Sequence, residues 1–228
     1  DLILLKKDLE ALRVGIVEGR KTFANIMKYV LMGTSSTFGN MVSLSIGSLW
    51  LPFLPMLPVQ ILLNDLLYDM SQIFLVRDNV DHYLTKKPYH WDIGFIKKFM
   101  LVFGGLSSFF DLVTFYILYQ IFQASSSLFQ TGWFLESAVS QMIIIFSIRT
   151  AKVPFFKSRP NGVFIAGILA IIAFVVMVPF SPIGRYLQFT PVPKVFLFGL
   201  IGIVVLYVTV TEVAKRIFYH SLREEVSS

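Results

Sequence analysis

No cysteine occurs in the 228 residues of this chain. That absence excludes a disulfide framework, a zinc–thiolate centre and thiol chemistry. Charge is also scarce: Asp, Glu, Lys and Arg make up 15% of the sequence, against about 25% in a soluble domain. There is no Gly-rich phosphate loop, no Ser-His-Asp arrangement and no metal-hydrolase spacing, so the chain carries no recognisable catalytic machinery. The three histidines, His82, His90 and His220, all fall outside the apolar runs, which excludes a histidine metal site within a membrane. No internal repeat or low-complexity segment stands out. The opening "DLILLKKDLEALRV" does not read as a signal peptide, because acids and bases interrupt its apolar residues.

What remains is apolar. Hydrophobic residues form 55% of the chain and the mean hydropathy is +0.70, as in an integral membrane protein. In that setting the net charge of +6 reads as loop lysine and arginine, with no nucleic-acid partner. A membrane span needs about 20 mostly apolar residues. Six stretches qualify, at 26–51, 57–76, 99–122, 132–148, 162–180 and 195–214. The expected fold is therefore all-α, a polytopic bundle of six transmembrane helices with both ends on one side. Eighteen of the 20 lysines and arginines lie on that side, and only Arg185 and Lys194 lie opposite. The positive-inside rule then puts both termini in the cytoplasm. Before the first span, "DLEALRVGIVEGRKTFANIMKYV" has helical periodicity with charges on one face. It predicts a cytosolic stalk helix running into the first span, preceded by a short buried strand at "DLILL".

Polar groups at membrane depth are the candidates for function. Within 57–76, Asp65 and Asp69 are four residues apart and share a helix face, with Gln72 three further on. A carboxylate at the bilayer centre costs about 2.5–3.5 kcal/mol, so such acids mark pathways more often than packing. Two like charges on one face repel, and either a bound cation or a proton relieves them. Carboxylate, amide and hydroxyl oxygens suit a hard cation such as Mg²⁺ or Ca²⁺. The plainer alternative is an aspartate that stays protonated and only fixes packing. The first span contributes "GTSSTFGN", a small-residue seam with the Asn40 amide near mid-membrane. Gln141 is deep enough in the fourth span to add an oxygen. Glu136 is expected close to the outer interface, where solvation serves it as well as ligation. Asp111 lies within the third span. Glu212 is expected to pair with Lys215 or Arg216. Pro58 opens the second helix, where a missing N–H costs little, and "DNVD" at 78–81 reads as a turn that stops it.

The order of several motifs resembles a known family. "VGIVEGRKTFANIMKYV", "SSTFGN", "LPFLPMLP", "LLYDMSQ" and "DNVD", then "SSFFDLVTF", "LFQTGWF", "SQMIIIFSIRT", "VPFSP" and "YLQ", resemble the C-terminal half of bacterial magnesium-transporting P-type ATPases. The resemblance implies that the six spans are the last six of ten membrane helices. It implies that residues 1–22 end a cytosolic phosphorylation domain and its stalk, with 23–228 as the transport domain. Asp69 matches the family's central ion-binding aspartate on the sixth membrane helix. Asp65 stands where an Asn is usual, and Asn64 stands where magnesium pumps have Gln-Asn. Asn40 stands where calcium pumps place a glutamate, which argues for the magnesium type. The implied metal set is Asp69, Asp65, Asn40, Asn64 and Gln141. Mg²⁺ is the implied transported ion, and the bilayer and a divalent cation are the implied partners. The Asp-Lys-Thr-Gly, Thr-Gly-Glu and Gly-Asp-Gly motifs of the family do not occur in these residues. ATP would therefore act only through a missing N-terminal half. Localisation in a bacterial cytoplasmic membrane follows from the same resemblance. Two other functions fit the composition: a self-sufficient ion-coupled secondary transporter and a non-transporting scaffold.

Overall fold

The computed structural model describes residues 9–86 and 91–227. The strand expected at 1–5, along with Lys6, Lys7, Lys87 and His90, lies outside the described residues. Those residues form helices joined by short turns, with no strand among them. Helix α1 runs unbroken from Leu9–Trp50. It contains no proline, and exposed i,i+3 ion pairs, Arg13–Glu10 at 2.6 Å and Lys21–Glu18 at 2.7 Å, support its first turns. Its 42 residues span about 63 Å, twice the hydrocarbon thickness of a bilayer. The expected domain boundary at 22/23 thus falls inside one continuous helix.

Helix α2 (Pro58–Ile73) begins with Pro58 at its first position and tightens into a 3₁₀ turn over Phe74–Arg77. A short α3 (His82–Lys86) follows. Helix α4 spans Ile93–Ile121 and is capped by Asp92, whose Oδ1 accepts the Phe95 N–H at 3.0 Å. Two π-helical turns, Met100–Gly104 and Ile117–Ile121, interrupt it. Helix α5 (Ser126–Ile148) is the axis of the bundle, and α1, α2, α4, α6 (Gly162–Met177) and α8 (Lys194–Ser227) pack around it. A short α7 (Pro182–Tyr186) starts on the Ser181 cap.

Helices α1 and α4 approach backbone to backbone. A Cβ at Gly104 would lie 2.7 Å from the Ser35 carbonyl, and one at Gly39 would lie 2.9 Å from the Gly104 carbonyl. Ser108 Oγ then reaches across to donate to the Gly39 carbonyl at 2.9 Å. The small-residue seam of the first span is what allows this contact. Aromatic and aliphatic side chains such as Phe115, Phe129, Phe134 and Met142 fill the core, while Leu62, Leu101, Phe198 and Ile201 remain exposed outside. Among the described residues, four helices are long and apolar enough to cross a membrane: Ile93–Ile121, Ser126–Ile148, Gly162–Phe180 and Lys194–Ser221. The first two expected spans carry the polar load of "GTSSTFGN" and "NDLLYDM", and this lowers their apolarity. Helix α2 is also short, about 24 Å for its 16 residues.

Candidate functional site: a polar cleft between three helices

The buried stripe of α2 reads Gln60, Asn64, Leu67, Tyr68, Ser71 and Gln72. It faces α5, and Asn64 Nδ2 donates to Ser137 Oγ at 3.1 Å. From α1, Asn40 Oδ1 accepts from Gln141 Nε2 at 2.8 Å and from Ser137 Oγ at 3.4 Å. Gln141 Nε2 also donates to Ser137 Oγ. Ser36 Oγ donates to Gln141 Oε1 at 2.6 Å. Three helices therefore meet in one amide network, with the Ser137 hydroxyl at its junction. Asn64 Oδ1 is the exception: it is buried and has no hydrogen-bond partner among the described residues. A buried carbonyl oxygen left bare costs about 1–3 kcal/mol unless something binds it.

A small cleft opens beside this network. Thr37, Asn40, Asn64 and Asp65 are its polar lining residues, and side chains such as Met41, Met56, Ile61 and Trp133 supply apolar walls. Of the five sequence-predicted ligands, Asn40, Asn64 and Asp65 line the cleft, and Gln141 touches it through Asn40. Asp69 does not line it. It lies exposed one turn further along α2, at the edge of the helix rather than on the stripe that faces α5. Gln72 is buried, and neither polar atom of its amide has a partner among the described residues. The three residues that share a helical face therefore differ in burial. Among the described residues, no three His, Cys, Asp or Glu side chains converge. A cation in this cleft would be held chiefly by amide oxygens with a single carboxylate, a set that suits a hard ion keeping part of its water shell.

Two polar clusters emerge that the sequence reading did not assemble. Glu136, expected near the outer interface and solvated, is 1% exposed. The correction has a simple cause: α5 is the central helix, so every face of it is covered. Glu136 Oε2 is buried without a hydrogen-bond partner among the described residues, and Asp111, on α4, is buried as well. Asp111 accepts from Ser43 Oγ at 2.6 Å and from Trp133 Nε1 at 2.9 Å. A signal was present, because Asp111 and Glu136 are about equally far from the 122–125 connection. In an antiparallel hairpin that puts them at the same depth.

The second cluster is at the "DNVD" turn. It does stop the helix, with Asp78 in extended backbone, but its two aspartates are also buried. Asp78 meets Lys28 at 2.7 Å and Arg149 at 2.8 Å. Arg149 also donates to the Ser158 carbonyl. Asp81 accepts from Thr150 at 2.6 Å and Ser158 at 2.9 Å and pairs with Lys152 at 2.8 Å. Burial pushes the Asp81 carboxyl up, but the Lys152, Thr150 and Ser158 bonds together outweigh it and hold it below the ordinary carboxylate value. Glu212 pairs with Lys215 at 2.6 Å, as expected.

Comparison with known proteins agrees with this architecture. Residues 53–217 match the family model described as "Cation transporting ATPase, C-terminus". The chain is 42% identical over 222 residues to a "Magnesium-transporting ATPase, P-type 1" of Salmonella typhimurium and 40% identical to its namesake in Escherichia coli K12. It is 24% identical over 213 residues to a "Calcium-transporting ATPase" of Bacillus subtilis. The alignments cover 96%, 96% and 89% of this chain, but only 25%, 25% and 24% of those relatives. The chain thus spans about a quarter of their length.

Proposed function

The chain belongs to the family of cation-transporting ATPase C-termini, and on that premise we propose that it is the membrane-embedded translocation part of an ATP-driven Mg²⁺ importer. The observation that carries the reading is the cleft. Helices α1 and α2 bring Asn40, Asn64 and Asp65 to one lined space, and α5 ties it together through Gln141. Relatives 42% and 40% identical to it are described as magnesium-transporting, and amide-rich oxygen ligation suits that ion.

In this reading the transport domain has six spans, adding the second half of α1 and α2 to the four long apolar helices. The 18-to-2 division of basic residues supports placing both termini in the cytoplasm of a bacterial inner membrane. Asn64 Oδ1 is the first oxygen offered to an arriving ion. Asn40 and Gln141 join it when their mutual hydrogen bond opens, and Asp65 supplies charge from the cleft wall. Asp69 completes the set from the exposed edge of α2, over which the remainder of the pump closes. ATP hydrolysis belongs to that remainder, and α1 carries its movement into the cleft as a continuous rod.

The test is Mg²⁺ uptake by a complete pump carrying this segment. Asp69→Asn and Asn64→Ala are each expected to lower uptake at least about 10–100-fold, as loss of a metal ligand or its support does. Undiminished uptake by Asp69→Asn would remove that residue from the site, and undiminished uptake by both would remove the site.

A further inference from the structure

Most buried amides in this bundle have partners. Gln60 donates to the Leu187 carbonyl at 3.1 Å, Gln130 to the Leu54 carbonyl at 2.9 Å and Gln141 to Asn40 at 2.8 Å. Three amide oxygens are buried without one among the described residues: Asn64 Oδ1, Gln72 Oε1 and Asn25 Oδ1. They are not scattered. Asn64 lines the cleft from α2. Gln72 belongs to the same buried face of α2, two turns or about 12 Å further along. Asn25, on α1, lies beyond it, where its Nδ2 donates to the Val76 and Asp78 carbonyls at 3.3 Å and 3.2 Å. The bare oxygens thus follow one another along α1 and α2, from the cleft to the Asp78 cluster.

Gln72 is the extreme case. It is 2% exposed, and its Nε2 is bare as well as its Oε1. The amide faces Gly33 of α1. A Cβ there would lie 3.9 Å from Oε1 and 4.0 Å from Nε2, with nothing else outside α1 within 4 Å. Glycine therefore leaves room in front of a group that both donates and accepts. A naked cation would suit the oxygen and be repelled by the N–H groups. Water satisfies both, and a hard divalent cation that dehydrates reluctantly brings water with it. Asp69, three residues earlier on α2, adds a carboxylate on the neighbouring turn. We propose that the Gln72 amide and the niche at Gly33 form a second cation station, which holds a hydrated divalent cation through its water shell between the cleft and the basic end of the bundle. The station rests on the Mg²⁺-transport reading but not on the ligands assigned in the cleft.

Mg²⁺ uptake by the complete pump in proteoliposomes tests this, with thermal unfolding of the same preparations alongside. Gln72→Met replaces an unsatisfied amide with an apolar chain of similar volume, so the unfolding midpoint should hold or rise. Gly33→Ala puts one methyl at ordinary contact distance from the amide and improves helix propensity, so it too should leave the fold intact. Each is expected to lower the maximal uptake rate about 10-fold, as loss of an outer-shell partner does, with KM for Mg²⁺ unchanged. Wild-type rates in both variants would overturn the proposal. So would a raised KM at an unchanged maximal rate, which would make Gln72 part of the cleft. If Gln72→Met does not fold, Gly33→Ala decides alone. Asn64→Ala separates this proposal from the cleft assignment. If it lowers uptake while the Gln72 and Gly33 variants do not, the station fails and the cleft stands. If those two slow uptake while Asn64→Ala does not, the station stands and the cleft fails.

Discussion

At the basic end of the bundle, Asp78 meets two cations, Lys28 at 2.7 Å and Arg149 at 2.8 Å. Midway along the bundle, Asp65 on α2, Asp111 on α4 and Glu136 on α5 form no ion pair among the described residues. Both regions bury polar groups between α1, α2 and α5, but they treat charge differently. The Asp78 cluster is closed: its negative charge is matched by side chains that cannot leave. The mid-bundle region is open: amides and hydroxyls satisfy one another, and the acids are left for a partner that the fold does not supply. A fold that invests in ion pairs at one end and withholds them at the other separates holding the helices together from binding something mobile.

Breaking the closed cluster should have the largest effect. Asp78→Ala leaves Lys28 and Arg149 buried without their shared partner, a loss of about 3–5 kcal/mol. Thermal unfolding in detergent measures it, and the fall should be the same with and without Mg²⁺. A stability change rescued by Mg²⁺ would erase the distinction between the two regions. Ser137→Ala is the opposite probe. It removes the junction of the amide network, where each lost hydrogen bond is worth about 1 kcal/mol. Its effect on unfolding should be modest, and its effect on Mg²⁺-dependent stabilisation should be large. Equal losses in both would show that the network is packing alone.

The smallest effect is the pH response of the turn itself. The folded Asp81 carboxyl titrates below its ordinary value of about 3.9. Its contribution is therefore complete above that value and disappears as pH falls through the lower folded one. With Lys152 partly exposed, it amounts to less than about 1 kcal/mol. Asp81→Asn should flatten that acid limb of the unfolding midpoint. An unchanged limb would show that the Lys152 pair contributes nothing there.

Much of the framework was legible because apolar length and helix punctuation are local properties. Helices α5, α6 and α8 fall where their apolar runs predict, Pro58 starts α2, and the Gly39 seam meets a neighbouring backbone. The clusters were less legible because their members are distant in sequence. Asn40 and Gln141 are joined across 101 positions, and Asp78 and Arg149 across 71. The "DNVD" turn reads in sequence only as a helix stop, because four adjacent residues cannot announce that Lys28 and Arg149 will meet Asp78. Asp69 was singled out by its motif, but burial within α2 follows the Asn64–Tyr68–Ser71 stripe. Which face of a helix meets the central partner is decided by packing and not by which acid stands out.

One consequence belongs to Trp133. Its single indole is a party wall between two compartments, one face turned to the cleft and the nitrogen turned to Asp111. Any change in the cleft that moves the ring also changes the hydrogen bond on the other side. Thermodynamic linkage then makes the influence mutual: by whatever factor a change at Asp111 alters binding in the cleft, an occupant of the cleft alters the equilibrium at Asp111 by the same factor. The ring needs no hinge to do this, only its position between the cleft and the carboxyl.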